Sequence, residues 1–309
     1  MVEQTNKNKA DDDIAGDFFG SGSESEEEKV PKEKTYLAGT KPSKYEIQQA
    51  QVADAIKAQW EVEQNTLKAN LEEDDRHDWV LDTANPDNTT LKRIAAVDIS
   101  YSSTDSQKAV TALIIFDFPS FTVLYEDFEK NETDYPYVPG FLAFKEVPSY
   151  TVLFDRLNEK RPDLWPELVM CDGNGILHQR GFGIASHIGV VFDIPTIGVG
   201  KTVFAVDGLT AKGVKALCDA ELHNGGDKVE LTGTSGKVWG AALRATDDSK
   251  NPLIISIGHR VSLETALDVT QACITNFRIP EPIRQADKRS RAIVKQVYDN
   301  EKGKKKGKK

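Results

Sequence analysis

The sequence predicts a mixed α/β fold: one central sheet in which three antiparallel strands are followed by parallel strand–helix units, with helices on its faces. Three observations point there. Arg93–Ser102, Ala109–Phe118 and Thr122–Glu129 are strand-like runs separated by short turns, the pattern of an antiparallel meander. Leu168–Asp172 and Pro195–Val199 are short apolar runs with a helix-like stretch, Gly183–Phe192, between them. That alternation implies parallel neighbours joined by right-handed crossovers. Finally, the run Leu168-Val-Met-Cys-Asp172 ends on a carboxylate and turns through Gly173-Asn-Gly175. Asp172 is thereby set at the carboxyl edge of a sheet, where open α/β folds hold ligands and metals.

Size and charge narrow the class. A chain of 309 residues with 39% hydrophobic content can bury a sizeable core. It has no apolar run of transmembrane length and no apolar segment behind a basic start, so a soluble, non-secreted protein is expected, with no membrane partner. Cys171, Cys218 and Cys273 are widely spaced and show no metal-ligand pattern, which points to buried thiols in a reducing compartment. The net charge of −10 is uneven: residues 1–35 carry −5, residues 302–309 carry +6, and residues 36–301 carry −11. A body that acidic is not a bulk phosphate binder. To handle nucleic acid it needs metal ions and local cations.

Taken in order, residues 1–40 form an acidic arm expected to be disordered, with Asp11-Asp-Asp13 and Glu24-Ser-Glu-Glu-Glu28. From Lys44 to Leu71, apolar residues including Ile56, Trp60 and Leu67 recur near helical spacing, as in a long amphipathic helix lying on the main domain. Pro86-Asp-Asn88 is a turn. The three meander strands follow, with Asp98 in the middle of the first. Pro136-Tyr-Val-Pro-Gly140 interrupts the pattern, and Leu142–Glu159 reads as helix, with Pro148 at a helix start or a kink. After the strand–helix–strand unit come three further strand candidates: Val229–Leu231, Val238–Arg244 and Leu253–Ile257. Leu263–Phe277 is a helix with Ser262 as a possible N-cap, 284–301 is a charged helix, and 302–309 is a lysine tail expected to be disordered. A single folded domain at 41–301 results, and its element order matches a ribonuclease H-like fold.

The acids carry the chemistry. Asp98 lies in the first strand, Asp172 ends the fourth, which would pair beside the first, and Glu146 lies on the connecting helix. Strands about 5 Å apart bring their acids within reach of one ion. Oxygen-only ligands select Mg²⁺ or Mn²⁺ over Zn²⁺. Such an ion lowers the pKa of a bound water and takes charge from a phosphoryl oxygen, which is phosphodiester hydrolysis. Lys201, ending the fifth strand, could stabilise the reacting phosphate. Pro136–Gly140 is a rigid projection that could enter a base stack, and Gly140 and Gly173–Gly175 would leave room for a flat, flipped base. Plainer readings stand beside these. Asp98 and Asp172 could be strand-edge acids with lysine partners, Lys201 a surface lysine, His178 a polar contact, and Tyr137 a core residue.

The residues also resemble a known family. Pro136-Tyr-Val-Pro-Gly-Phe-Leu-Ala-Phe-Lys-Glu146 and Asp172-Gly-Asn-Gly-Ile-Leu-His178, with Gly181–Gly189, are similar to two signatures of endonuclease V. Ala96-Val-Asp98, Ile197-Gly-Val-Gly-Lys201, Val206-Asp-Gly-Leu209 and Ile279–Asp287 fit it in order, so the likeness runs from about Arg93 to Arg291. The resemblance implies a metal-dependent endonuclease whose catalytic domain is 41–301. It would cut at the second phosphodiester bond 3′ to inosine or deoxyinosine, using Mg²⁺ or Mn²⁺. It implies that Asp98, Asp172, Glu146 and Asp287 form the metal and acid set, and that Lys201 assists at the phosphate. Tyr137, with Pro139, would wedge the strand. Gly140, Leu142, Gly173, His178, Gly183 and Ile184 would line the hypoxanthine pocket. The implied partners are inosine-containing single-stranded RNA or deoxyinosine-containing DNA, met by a monomer in the nucleus or cytoplasm. Two departures stand out: Lys145 replaces a common arginine, and Gly200-Lys201-Thr202 replaces a more usual Ala-Lys-Lys. A non-catalytic inosine-binding module is the competing reading, although such a reader has no need of Asp98, Glu146, Asp172 and Lys201 together.

Overall fold

The structure is a computed structural model, and it describes residues 44–105, 107–132, 138 and 140–299. The acidic arm, the lysine tail, Tyr137 and Pro139 lie outside the described residues.

Strands β1 (Arg93–Tyr101), β2 (Lys108–Asp117) and β3 (Val123–Glu132) form the antiparallel meander. On the other side of β1, β4 (Leu168–Asp172) runs parallel to it, and β5 (Thr196–Gly200) runs parallel to β4. Three antiparallel strands complete the sheet: β6 (Lys228–Thr232), β7 (Val238–Leu243) and β8 (Leu253–His259), with β8 against β5. The order is β3-β2-β1-β4-β5-β8-β7-β6, a mixed, ribonuclease H-like sheet.

Strand periodicity decides what each face meets. On one face Ala95, Val97, Val169 and Cys171 pack against Val147, Leu153, Phe154 and Ile188, from helices α2 (Leu142–Lys160) and α3 (Ile184–Phe192). On the other face Ile94, Leu168, Met170 and Ile197 share a core with Leu267, Val269 and Ile283, and Ala96 packs with Ala286. The latter side chains come from α5 (Leu263–Ala272) and α6 (Glu281–Val294). The series Ile94, Ala96, Asp98 therefore points its carboxylate toward the α6 side. Helix α1 (Lys44–Lys68) precedes the sheet and contacts α3. Among the described residues, no helix is long and apolar enough to cross a membrane.

Several element boundaries differ from the sequence expectation. Pro148 is the seventh residue of α2, in its second turn, where its missing N–H removes one helical bond. Helix α5 stops at Ala272 rather than Phe277, and α6 starts at Glu281 with Pro282 in its first turn. The reason is local: the Cys273 amide closes onto the last α5 carbonyls, and proline favours a helix start. Past Val294 the chain continues as a π-helical turn, Lys295–Asp299. Among the described residues, one α-helix has no counterpart in the expectation: α4 (Ala211–Glu221), capped by Thr210, whose hydroxyl accepts from the Gly213 amide at 3.1 Å.

Candidate active site

The register of the parallel pair sets the centre of the site. Val97 is opposite Cys171, so the next residues, Asp98 and Asp172, fall side by side where β4 ends and β1 runs on to Tyr101. Helix α6 crosses this face and brings Asp287 and Ser290, one helical turn apart. Glu146 arrives from α2, on the other face of the sheet. Lys201 follows β5, the neighbour of β4.

Asp98, Glu146 and Asp287 are 7%, 6% and 8% exposed, unusual burial for three carboxyl groups. Hydroxyls hold Asp98: Ser100 donates to its Oδ2 at 3.1 Å, and Ser290 donates to the same oxygen. Burial, then the negative charges of Asp172 and Asp287, push the Asp98 carboxyl up to about 6 against those hydrogen bonds. Glu146 goes further. Burial, then Asp98, raise it to about 8, although Lys145 and the Tyr101 hydroxyl oppose the shift. Tyr101 donates to Glu146 Oε1 at 3.5 Å, and the Lys145 ammonium lies 5.0 Å from the centre of the Tyr101 ring. The acids thus act on one another through a low-dielectric edge.

Two cations of the chain are already engaged there. Lys201 Nζ is 2.7 Å from Asp172 Oδ2, and Arg291 Nε is 2.8 Å from Asp287 Oδ1. Burial alone would lower Lys201, but the attraction and hydrogen bond of Asp172 outweigh it and raise the ammonium above its ordinary value. Lys201 therefore stays charged at neutral pH. Among the described residues, no three His, Cys, Asp or Glu side chains are gathered closely enough to enclose an ion as they stand. The donor set nevertheless fits a hard divalent cation: it is all oxygen, and both the burial that raises Asp98 and Glu146 and the repulsion that adds to it are what such a cation offsets.

The residues expected around a base fall on two loops that meet. Gly140 takes a left-handed φ of +79°, and a Cβ built on it would lie 3.9 Å from His178 Cε1. Leu142 beside it is 41% exposed. Gly173 and Ile184 touch, since a Cβ on Gly173 would come within 2.6 Å of Ile184 Cγ2. Gly183 is buried as the residue before α3. The space at Gly175, expected to be open, is filled by the protein itself: its Cβ would sit 1.8 Å from the Ile257 carbonyl oxygen of β8. His178 is buried, its Nδ1 accepts from the Arg180 amide at 3.3 Å, and Phe204 meets its ring edge-on. Burial, then Arg180, lower His178 to about 4, so it is neutral at physiological pH. A cavity of about 720 Å³ lined by Leu67, Leu71, Val191 and Arg260 includes none of these groups.

Ser100, Tyr101, Ser290 and Gln64 contribute to this region and were not singled out from the sequence. Ser100 had a signal, since it lies two residues after Asp98 on the same strand face. Ser290 had a weaker one, three residues after Asp287 on a helix. Nothing local marks Tyr101 or Gln64.

Comparison with known proteins gives the family and agrees with the fold. A family model described as Endonuclease V matches residues 76–288. Mus musculus endonuclease V is 46% identical over 238 residues, covering 77% of this chain and 69% of the relative. Homo sapiens endonuclease V is 44% identical over 236 residues, covering 76% and 82%. The solved catalytic domain of human endonuclease V aligns with a TM-score of 0.73 at 43% identity, over 78% of this chain and 97% of that one. Ciona intestinalis endonuclease V, solved in complex with DNA containing an inosine followed by a ribo-adenosine, aligns with a TM-score of 0.70 at 30% identity, over 79% and 99%.

Proposed function

Because this chain belongs to the endonuclease V family, and is therefore a nuclease that hydrolyses phosphodiester bonds, we propose that it cuts a nucleic-acid strand at the second phosphodiester bond 3′ to inosine or deoxyinosine. The observation that carries the reading is the gathering of Asp98, Glu146, Asp172 and Asp287 at one edge of the sheet beside Lys201, with Asp98 beside Asp172 in register and Lys201 on Asp172. Asp98, Asp172, Glu146 and Asp287 would hold Mg²⁺, with Mn²⁺ as a substitute. Nucleases of this family generally depend on divalent metal, which when bound supplies charge neutralisation at the phosphate and a more acidic water.

The chain's own groups do the rest. Lys201, held beside Asp172, would aim its ammonium at the charge that builds on the phosphoryl oxygens. Glu146, raised to about 8, would hold a proton at neutral pH in the metal-free chain, with Tyr101 fixing its direction, and its carboxyl oxygens would be available to the metal set. Ser100 and Ser290 would hold Asp98 in one rotamer. Tyr137 and Pro139 would wedge the strand so that the base can leave the stack. Gly140, Leu142, Gly173, Gly183 and Ile184 would line the space that receives it, with neutral His178 as a polar contact. All of these groups come from one chain, so a monomer suffices.

The Ciona relative was solved on inosine-containing DNA, which supports the inosine reading. A non-catalytic inosine-binding module is disfavoured, since nothing in binding alone requires four acids and a lysine at one sheet edge. The deciding test is a nicking assay on matched RNA and DNA strands, each with one labelled inosine, in Mg²⁺ or Mn²⁺. A single product ending two bonds 3′ to the inosine is expected. Absence of product on both strands under every divalent ion would refute it, and the RNA-to-DNA ratio assigns the substrate.

A further inference from the structure

We propose that Gln64 of α1 is a positioning residue for base recognition, one that sets the spacing between the two loops of the base pocket. The inference rests on the pocket reading above. Trp60, Gln64 and Lys68 are four residues apart and share one face of α1. Gln64 is 2% exposed. Its Nε2 donates to the Phe182 carbonyl at 3.0 Å and to the Gly140 carbonyl at 3.4 Å. Its Oε1 accepts from Arg180 Nε. One buried amide therefore ties the loop at Gly140 to the loop that carries Arg180 and Phe182, directly before Gly183 and Ile184.

Its neighbours on the helix reinforce the tie. Lys68 Nζ donates to the Arg180 carbonyl at 2.7 Å. The Arg180 guanidinium lies 5.3 Å from the centre of the Phe141 ring, and Trp60 stacks on Phe144 at 5.3 Å. From Trp60 to Lys68 this face of α1 engages the two pocket loops and Phe144 of α2, and neither Gln64 nor Lys68 bonds to any of the four acids. This helix also lies outside the residues 76–288 that match the family model. A buried amide held between two carbonyls and a guanidinium has no apolar substitute: removing it takes a hydrogen bond from the Gly140 and Phe182 carbonyls and from Arg180 Nε, and cuts the direct tie between the two loops. Discrimination between similar bases depends on polar groups meeting the base edge at hydrogen-bond distance, so a shift of about 1 Å in either loop is costly.

The test uses the full chain and Gln64→Met, which keeps bulk and loses every polar contact. Gln64→Glu keeps the acceptor for Arg180 but sets a carboxylate against two carbonyl oxygens. Lys68→Met perturbs the same face at its exposed end and serves if Gln64→Met does not fold. Binding of labelled strands carrying inosine or adenosine is measured in EDTA, and KM and kcat are measured in Mg²⁺. The inosine-to-adenosine preference should fall about tenfold in both Gln64 variants and about threefold in Lys68→Met. KM should rise in proportion, while kcat falls less. A merely structural role would lower the melting temperature and leave the preference intact. Full preference in Lys68→Met and in every folded Gln64 variant would overturn the proposal. A wild-type chain that does not prefer inosine would instead sink the pocket reading itself, and this inference with it.

Discussion

Replacing Glu146 with glutamine should stabilise the metal-free protein, by an amount that grows with pH. Glu146 ordinarily titrates near 4.5, and burial with the charge of Asp98 raises it to about 8 in the folded chain. Between these values the folded state holds a proton that the unfolded state has lost. Stability therefore falls as pH rises through this window, by about 1.4 kcal/mol per pH unit, and levels off above about pH 8. At pH 7, about 2.5 pH units above the ordinary value, the accumulated cost is about 3 kcal/mol. Glutamine has nothing to ionise and can still accept from Tyr101. Urea unfolding in EDTA at pH 4.5, 7 and 9 should show the variant equal to wild type at the lowest pH, about 3 kcal/mol more stable at pH 7, and no further ahead than about 5 kcal/mol at pH 9. Cleavage should be lost throughout. A difference that does not grow with pH, or a variant less stable than wild type at pH 9, would refute the placement of Glu146 among uncompensated acids.

Three further outcomes follow from the same geometry. Asp172→Ala should abolish cleavage and leave binding of an inosine strand undiminished, because it frees Lys201 from its 2.7 Å ion pair; measurable nicking at the wild-type rate would remove Asp172 from the ligand set. Lys201→Met should lower kcat by about a hundredfold or more at saturating substrate, a drop read from single-turnover rates, and an unchanged rate would return Lys201 to a strand-end role. Gly175→Ala should cost about 3 kcal/mol in chemical unfolding, since its Cβ would meet the Ile257 carbonyl at 1.8 Å, and wild-type stability there would contradict the approach of the loop after β4 to β8.

Much of the site was legible because its residues carry local signals. Asp98 sits in a strand, Asp172 ends one before a glycine turn, and β4 was expected beside β1, as the register from Ile94↔Leu168 to Val97↔Cys171 bears out. The three-strand meander was legible for the same reason, since its runs are strand-like and its turns short. Helix ends were less so, because Cys273 and Pro280–Pro282 redirect the chain through backbone bonds that periodicity does not register. Helix α4 passed unnoticed: only Val214 and Cys218 of its residues are buried, too few to print an apolar stripe.

The sequence by itself determined which side chains were available and which elements carry them: hard acids on β1, α2, β4 and α6, a lysine after β5, and two glycine-bearing loops. Side-chain type and short-range period are properties of neighbouring residues, so they survive without coordinates. Tertiary structure alone decided who meets whom. Ser290 finds Asp98 across 192 residues of chain, and Gln64 finds Phe182 across 118. Such pairings depend on how helices cross a twisted sheet. Burial then turns them into consequence: it raises Asp98 and Glu146, and the charges of Asp172 and Asp287 add to the rise at Asp98 as that of Asp98 adds to the rise at Glu146.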